Sequence, residues 1–483
     1  MGKRVQRVVR QTVRFAALAA CIFCGCATYQ PEPLNPVEVA RQFERRALAN
    51  PGLCAYLNSN ASAKPSACPP PDWNLETLTL AGFYFSPDMA VAAAQIQTAD
   101  AAIVTAGARP NPVVRLGPQY DVRSTPNFAP WAIGSFSLDL PIETAGKRGY
   151  RIAQAQQLAD AARLAAGETA WTVRSRIRAA LLRYLLDSRR SDLTEQEQKA
   201  LARTSALVAA RVKAGAAAQP ELDLALSSLQ NARIRAVEAK ARVPADRNAL
   251  AAAIGLPAEA LDGAKFDWAA LDNPPAEQSL APDAVQRLAL LDRIDLRREL
   301  AQYAAAEEGL KLEIARQYPD LHLMGGYSWE GGENIFELGP SLALPIFNQN
   351  QGPIAAAEAR RKEVAAQFLA MQAGIIAETR TALINYRGAL ASLDAARSAA
   401  SYQARRYDQA SRAAAVGESD AITVAATRLQ DLAARQTLLQ ALAGAQSALG
   451  TLENSMQRPL DHGDAGSFTF PPPVDSEVNV SEH

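Results

Sequence analysis

The sequence is short of histidine, with three in 483 residues, and short of aromatic residues, at 6%. It has no excess of either charge, because 50 Lys and Arg balance 50 Asp and Glu. That balance argues against a nucleic-acid binder, which carries a basic excess. His322 stands alone, and His462 and His483 fall in a Gly/Pro-rich tail, so no Cys/His spacing suits a metal. There is no glycine loop for phosphate and no nucleophile elbow. Carboxylates are many, but they are spread along helix faces with Arg and Lys, as on solvated helices. No enzyme, no cofactor and no metal site is expected. No uninterrupted run of 18 apolar residues occurs after the N-terminus, so no transmembrane helix is expected. A chain of this kind that crosses a membrane must do so as a closed β-barrel.

What is present begins with a targeting segment. Lys3, Arg4, Arg7, Arg10 and Arg14 form a basic region, and Phe15 to Cys24 is a short apolar stretch. Gly25 then precedes Cys26, a small residue before a cysteine, which is the bacterial lipoprotein pattern. Cys26 is assigned as the acylated residue. Cys21 has better flanking letters but leaves too short an apolar core, and an ordinary secretory signal is the alternative. Ala27 follows rather than Asp, which directs the expectation to the outer membrane. Cys54 and Cys68 remain in a Pro/Ser/Asn-rich stretch. An oxidising periplasm would allow a disulfide between them, contributing about 3 kcal/mol; two free thiols are the alternative.

The chain repeats itself. Asp88-Met89 and Asp295-Leu296 open helical patterns that end at Pro112-Val113-Val114-Arg115-Leu116 and Pro319-Asp320-Leu321-His322-Leu323, both pairs 207 apart. Leu138-Asp139-Leu140-Pro141-Ile142 matches Leu342-Ala343-Leu344-Pro345-Ile346 at 204. Arg178-x-Ala180-Leu181-x-x-Tyr184 matches Arg380-x-Ala382-Leu383-x-x-Tyr386 at 202, as Gly215 does Gly417. Each repeat reads as a helix, a strand pair and a long helical hairpin. Tyr150 to Ala214 and Ile354 to Val416 contain no proline. At 1.5 Å per residue each spans roughly 95 Å, which implies a coiled coil or a helical barrel. Ile177, Leu181, Tyr184 and Leu185 form a packing stripe.

The strand segments alternate. Leu321, Leu323, Tyr327 and Trp329 oppose His322, Met324 and Ser328. Phe136, Leu138 and Leu140 alternate with Ser135, Ser137 and Asp139, and Leu338, Leu342 and Leu344 with Gly339, Ser341 and Ala343. This is the pattern of a membrane barrel, with Tyr120, Phe128, Trp131, Trp329 and Phe336 near strand ends as a girdle. A half-buried soluble sheet gives the same alternation. Four strands cannot close a barrel, so the chain must oligomerise; a trimer supplies twelve.

These features resemble the TolC family of outer-membrane factors, within it the lipid-anchored components of heavy-metal RND efflux pumps. The resemblance runs from about Trp73 to Leu460. It is carried by Ala108-Arg109-Pro110-Asn111-Pro112, by Leu140-Pro141-Ile142-Glu143-Thr144-Ala145-Gly146-Lys147-Arg148, and by Leu338-Gly339-Pro340-Ser341-Leu342 through Pro345-Ile346-Phe347. It implies a mainly α fold with a membrane β-barrel part: a homotrimer with four strands per chain in a twelve-stranded barrel, and a long α-helical periplasmic barrel. It implies an exit duct that meets a periplasmic adaptor and an inner-membrane RND pump, set in outer-membrane lipid. A duct for type I polypeptide secretion and a coiled-coil lipoprotein without a pore are the alternatives. The expected organisation is a signal peptide over 1–25, an N-terminal periplasmic segment over 26–80, repeats over 81–275 and 283–460, and a flexible tail over 461–483. Arg211 to Asp223 and Tyr407 to Thr427 would form periplasmic tips. Gly215, Glu221, Asp223, Gly417, Glu418, Asp420 and Thr423 are the candidate gate residues. The family's acidic positions after the second glycine are Thr423 and Ala426 here, so an acidic ring from Glu418 and Asp420 and plain solvated turn charges both stay open.

Overall fold

The computed structural model describes residues 28–62, 67–120, 131–276, 280–330 and 333–460. Cys26, Phe128, His462, His483 and the 461–483 tail lie outside the described residues. The chain divides into two units, one up to Arg46 and one from Ala47 onward. The first holds helix α1 (Pro36–Glu44), whose N-terminal N–H groups of Val37 and Glu38 are capped by the Asn35 side chain.

The second unit opens with α2 (Pro51–Asn60) and α3 (Leu75–Phe85), each started by an asparagine cap, Asn50 and Asn74. The sulfurs of Cys54 and Cys68 are bonded, with Cα atoms 5.7 Å apart. Then the two repeats follow. The first has α4 (Pro87–Gly107), strands β1 (Val113–Tyr120) and β2 (Trp131–Ile142), and helices α5 (Lys147–Lys213) and α6 (Gln219–Ile254). After a short helix α7 (Pro282–Leu291), the second has α8 (Ile294–Ala315), β3 (Leu321–Glu330), β4 (Glu333–Leu342), α9 (Gln351–Ala415) and α10 (Ala421–Met456).

The long helices run 67 and 65 residues, about 100 Å at the helical rise. Their interiors lack proline; Pro353 of α9 sits in the first turn, as Pro220 does in α6, where the missing N–H costs nothing. Pro244 lies inside α6 and is accommodated. Alanine faces let α5, α6, α9 and α10 approach closely, so much of the contact is between small side chains.

The main core lies midway along α5, where α6 ends. Leu53, Leu57 and Leu78 pack with Ile177 and Leu181 of α5, Leu250 and Ile254 of α6, and Leu393 of α9, all fully buried. A second cluster joins α7 to α9 and α10 through Val285, Ala289, Leu383, Leu449 and Met456. Tyr386 is wholly buried there and donates its hydroxyl to the Pro275 carbonyl at 2.6 Å.

The four strands form one antiparallel sheet in the order β1-β2-β3-β4. The two hairpins keep one register: Val114 lies opposite Leu138, and, displaced by 207 and 204, Leu321 lies opposite Leu342. One sequence expectation needs correction. The β4 strand ends at Leu342 and not at Leu344, because its only neighbour, β3, begins at Leu321. The 21-residue helix α4 does meet the length and hydropathy of a membrane span, at a mean hydropathy of 1.2. Gln95, Gln97, Thr98 and Asp100 break its apolar run while alanine keeps the mean high. It packs along α5, where Asp100 pairs with Arg163 at 2.6 Å, so it is a helix of the bundle.

Candidate functional site

The sheet has one apolar and one polar face. The pleat and register put Val114, Leu116, Phe136, Leu138, Leu140, Leu323, Leu338 and Leu342 on the same side, and all are exposed. An exposed apolar band of this extent has no place in water. On the opposite face stand Arg115, Ser135, Ser137, Asp139, His322, Ser328, Glu337 and Ser341. His322 Nδ1 lies 2.9 Å from Asp139 Oδ1, a polar contact aimed at the wet side. At the hairpin end Tyr327 stacks with Phe336 at 5.3 Å, and Tyr120 lies opposite Trp131. At the helix end, Tyr318 and Phe347 are exposed. That second aromatic level escaped the sequence reading, because both residues sit just outside the alternating segments.

The Pro-Ile-Glu-Thr-Ala-Gly-Lys-Arg run is a joint. Ile142 ends β2. The Thr144 hydroxyl donates to the Pro319 carbonyl at 2.7 Å, and its N–H donates to Asp320. Gly146 takes the left-handed conformation, φ +73°, that starts α5. Lys147, almost fully buried, reaches Asp320 at 2.7 Å and the Tyr318 carbonyl at 2.6 Å. Arg151 makes a bidentate pair with Glu143, and Arg148 donates to the Gly107 carbonyl. The Arg151 hydrogen bond holds the Glu143 carboxyl below the ordinary range. Burial alone would raise Asp320, but Lys147 and the Thr144 N–H outweigh it and lower it. This lattice locks the sheet of the first repeat to the strand that opens the second.

The far ends of the hairpins are tight turns. Gly215 and Gly417 adopt φ +72° and +83° between antiparallel helices. The candidate gate residues are all exposed there, and local structure uses most of them. Glu221 accepts from the Ala218 N–H at 3.2 Å, Asp223 from Gln219 at 3.1 Å, and Asp420 caps α10 by accepting from the Thr423 N–H at 2.7 Å. Hydrogen bonds from Thr423, with Arg211 nearby, hold the Asp420 carboxyl below its ordinary range. Glu418 has no polar side-chain partner among the described residues. The structure therefore brings Asp420 and Thr423 together as a cap and leaves Glu418 open.

Charges also lie where the sequence reading did not place them. Glu453 is completely buried, with Arg178 at 3.1 Å and Arg174 at 3.3 Å. Arg178 also donates to the Gln446 carbonyl and side chain, and its guanidinium lies 5.1 Å from the Trp268 ring. Asp431, equally buried, is held between Arg428 and Arg435. These carboxylates are not solvated helix charges; they fasten α10 to α5 or brace α10 itself.

With sheet, joint and tips in place, comparison with known proteins is decisive. The sequence profile described as outer membrane efflux protein matches twice, over residues 85–256 and 285–456. The chain belongs to the outer membrane efflux protein family. The two matches fall on the two repeats. The family is one of efflux proteins of the outer membrane and not of enzymes. It is 25% identical over 286 residues to the cobalt-zinc-cadmium resistance protein CzcC of Cupriavidus metallidurans. That match covers 59% of this chain and 65% of CzcC, just under two thirds of the relative. The fold is similar to that of the outer membrane protein VceC of Vibrio cholerae, with a TM-score of 0.63 at 16% identity, covering 80% of this chain and 97% of that one. It is likewise similar to CusC, at a TM-score of 0.62 and 17% identity, covering 80% and 92%. The four-stranded sheet of this chain is consistent with a trimeric barrel of this TolC-like fold, and the long helices with its helical periplasmic part.

Proposed function

We propose that three copies of this chain form the exit duct of a tripartite efflux system, open to an adaptor and an inner-membrane RND pump at the hairpin tips. The observation that carries this reading is the sheet. It has an apolar face for lipid, a polar face for water, and two edges with no partner among the described residues, as a sheet that closes into a ring would have. The long helices α5 and α9, about 100 Å each, give the duct its reach toward the inner membrane. Cys26 would carry the lipid that holds it at the outer membrane. The relative's part in cobalt, zinc and cadmium resistance makes those cations the first cargo to test. The test is complementation: a strain lacking the chain but keeping its pump and adaptor should regain tolerance to one of these metals when the chain is restored. Native mass measurement in detergent should give a trimer. Restored export of a polypeptide with unchanged metal tolerance would favour a secretion duct, and a monomer would end the barrel reading.

A further inference from the structure

His322 is the sole histidine among the described residues, and the fold sets it on the polar face of β3, an inner strand of the sheet. Its Nδ1 lies 2.9 Å from Asp139 Oδ1 on β2. That carboxylate is mostly covered, with 13% of its side chain exposed, and His322 is its one ion-pair partner among the described residues. An ionised carboxylate only accepts, so a neutral imidazole beside it donates Nδ1–H and keeps its lone pair on Nε2. The imidazole side chain is 41% exposed, so solvent and ions reach it. Met324 lies two residues along β3 on the same face, half-buried and opposite Asp139 in the register. The duplication supplies a contrast. At the offset of 207, Arg115 of β1 corresponds to His322; at 204, Ala343 corresponds to Asp139. A guanidinium has no lone pair to offer a cation. The imidazole–carboxylate pair therefore belongs to one place in the sheet and is not a requirement of the repeated strand pair.

We propose that His322 Nε2, oriented by Asp139, binds borderline divalent cations such as Zn²⁺ and Cd²⁺ in passing, with Met324 as a second donor. The proposal rests on the exit-duct reading and names a point on the wall where a cation cargo is met. A metal-ligating histidine characteristically donates its other ring N–H to a carboxylate, as His322 does to Asp139. Imidazole and thioether ligands suit Zn²⁺ and softer ions, whereas Mg²⁺ takes oxygen. Among the described residues no group of three or more His, Cys, Asp or Glu side chains could hold a metal ion. The site is thus no store for a resident metal. Two donors from the chain, with water completing the shell, make binding weak, and a conducting path needs sites that an ion leaves as readily as it enters.

Planar-bilayer recording of the purified full chain tests this. In KCl, added Zn²⁺ should lower the wild-type current, and Mg²⁺ at the same concentration should not. H322Q keeps a hydrogen-bond donor for Asp139 and should abolish the Zn²⁺ effect. D139N lets an amide N–H face Nδ1 and favours the other tautomer, so the half-blocking Zn²⁺ concentration should rise about tenfold. M324L should weaken the response to Cd²⁺ more than the response to Zn²⁺. A wild-type current indifferent to Zn²⁺, a response that Mg²⁺ reproduces, or one that H322Q leaves unchanged overturns the site and leaves the duct standing. A response lost in H322Q but unaltered in D139N overturns the orienting role of Asp139, and equal losses for both cations in M324L overturn the role of Met324. A trimer that carries no current in KCl overturns the duct reading itself.

Discussion

Gly450 shows how one residue serves the buried charge network. A Cβ there would come within 2.5 Å of Arg178 Nη1. That guanidinium cannot swing away, being held by Gln446, Glu453 and the Trp268 ring. Gly450→Ala should therefore cost about 1–3 kcal/mol, as overpacking does. Glu453→Ala should cost more, about 3–5 kcal/mol, because it strands two buried cations. Urea unfolding in detergent, followed by tryptophan fluorescence, measures both. None of this was legible beforehand: helical spacing shows that Glu453 and Arg178 lie on faces, but not which faces a neighbouring helix covers. The glycines at 215 and 417 were legible, because only a turn between two long helices explains them. At the tips, Asp420→Asn keeps the cap acceptor and removes the charge, whereas Asp420→Ala removes both. If the tips line an opening, Glu418→Gln with Asp420→Asn should lower cation preference in planar-bilayer conductance with trimers intact. Unchanged selectivity would place the narrowest ring elsewhere. Because the Asp420 pKa is lowered, its cap contributes above the unfolded carboxylate pKa and is lost only as pH falls through the lowered value. Hydrogen exchange in the first turn of α10 should stay slow on acidification to that point, and should be fast at all pH in Asp420→Ala.

The α5–α6 hairpin holds a pair of carboxylates, Asp187 and Asp246. Burial, and then the neighbouring Asp187 carboxyl, pushes the Asp246 carboxyl up, and Arg183, at 4.0 Å, only partly offsets this. A raised acid gives stability that is complete below its unfolded pKa and is lost as pH rises through the folded value. The hairpin should thus lose protection in hydrogen exchange, corrected for intrinsic rates, between a pH below the unfolded carboxylate value and a pH above the raised Asp246 value, and Asp246→Asn should flatten the difference. A wild-type hairpin that exchanges equally at both pH values would show that the pair shares no proton. The hairpins themselves were plain in the sequence, because proline is absent across Tyr150 to Ala214. The strands were plain too, from period-two alternation. Their ends were not, because an end depends on the neighbour: β2 and β4 share the Leu-x-Leu-Pro-Ile letters, yet β4 stops four residues earlier. The amphiphilic character of α4 was hidden for a different reason, since alanine raises mean hydropathy without forming an unbroken apolar run.

For the molecule as a whole, the N-terminus and the covalent crosslink give direct tests. Mass spectrometry of the mature protein should find a diacylated or triacylated Cys26; an unmodified terminus, or acyl groups on Cys21, would refute that assignment. Denatured, unreduced protein should show no reactive thiol at Cys54 or Cys68. The duplicated architecture was legible at this scale because collinear matches such as Arg178 with Arg380 survive on helices whose other positions drift. The closing edges of the sheet were not, since β1 and β4 each have no second neighbour among the described residues. The open-edged sheet has a further consequence, in the economy of supply. A single chain presents two bare strand edges, and in the proposed trimer three must meet before every edge is covered. Well below the concentration at which half the chains are assembled, ring yield rises as the cube of chain concentration, so halving synthesis lowers the number of ducts about eightfold. A cell making too little of this chain would have almost no exits rather than half as many, and export should switch on sharply as a promoter is titrated upward.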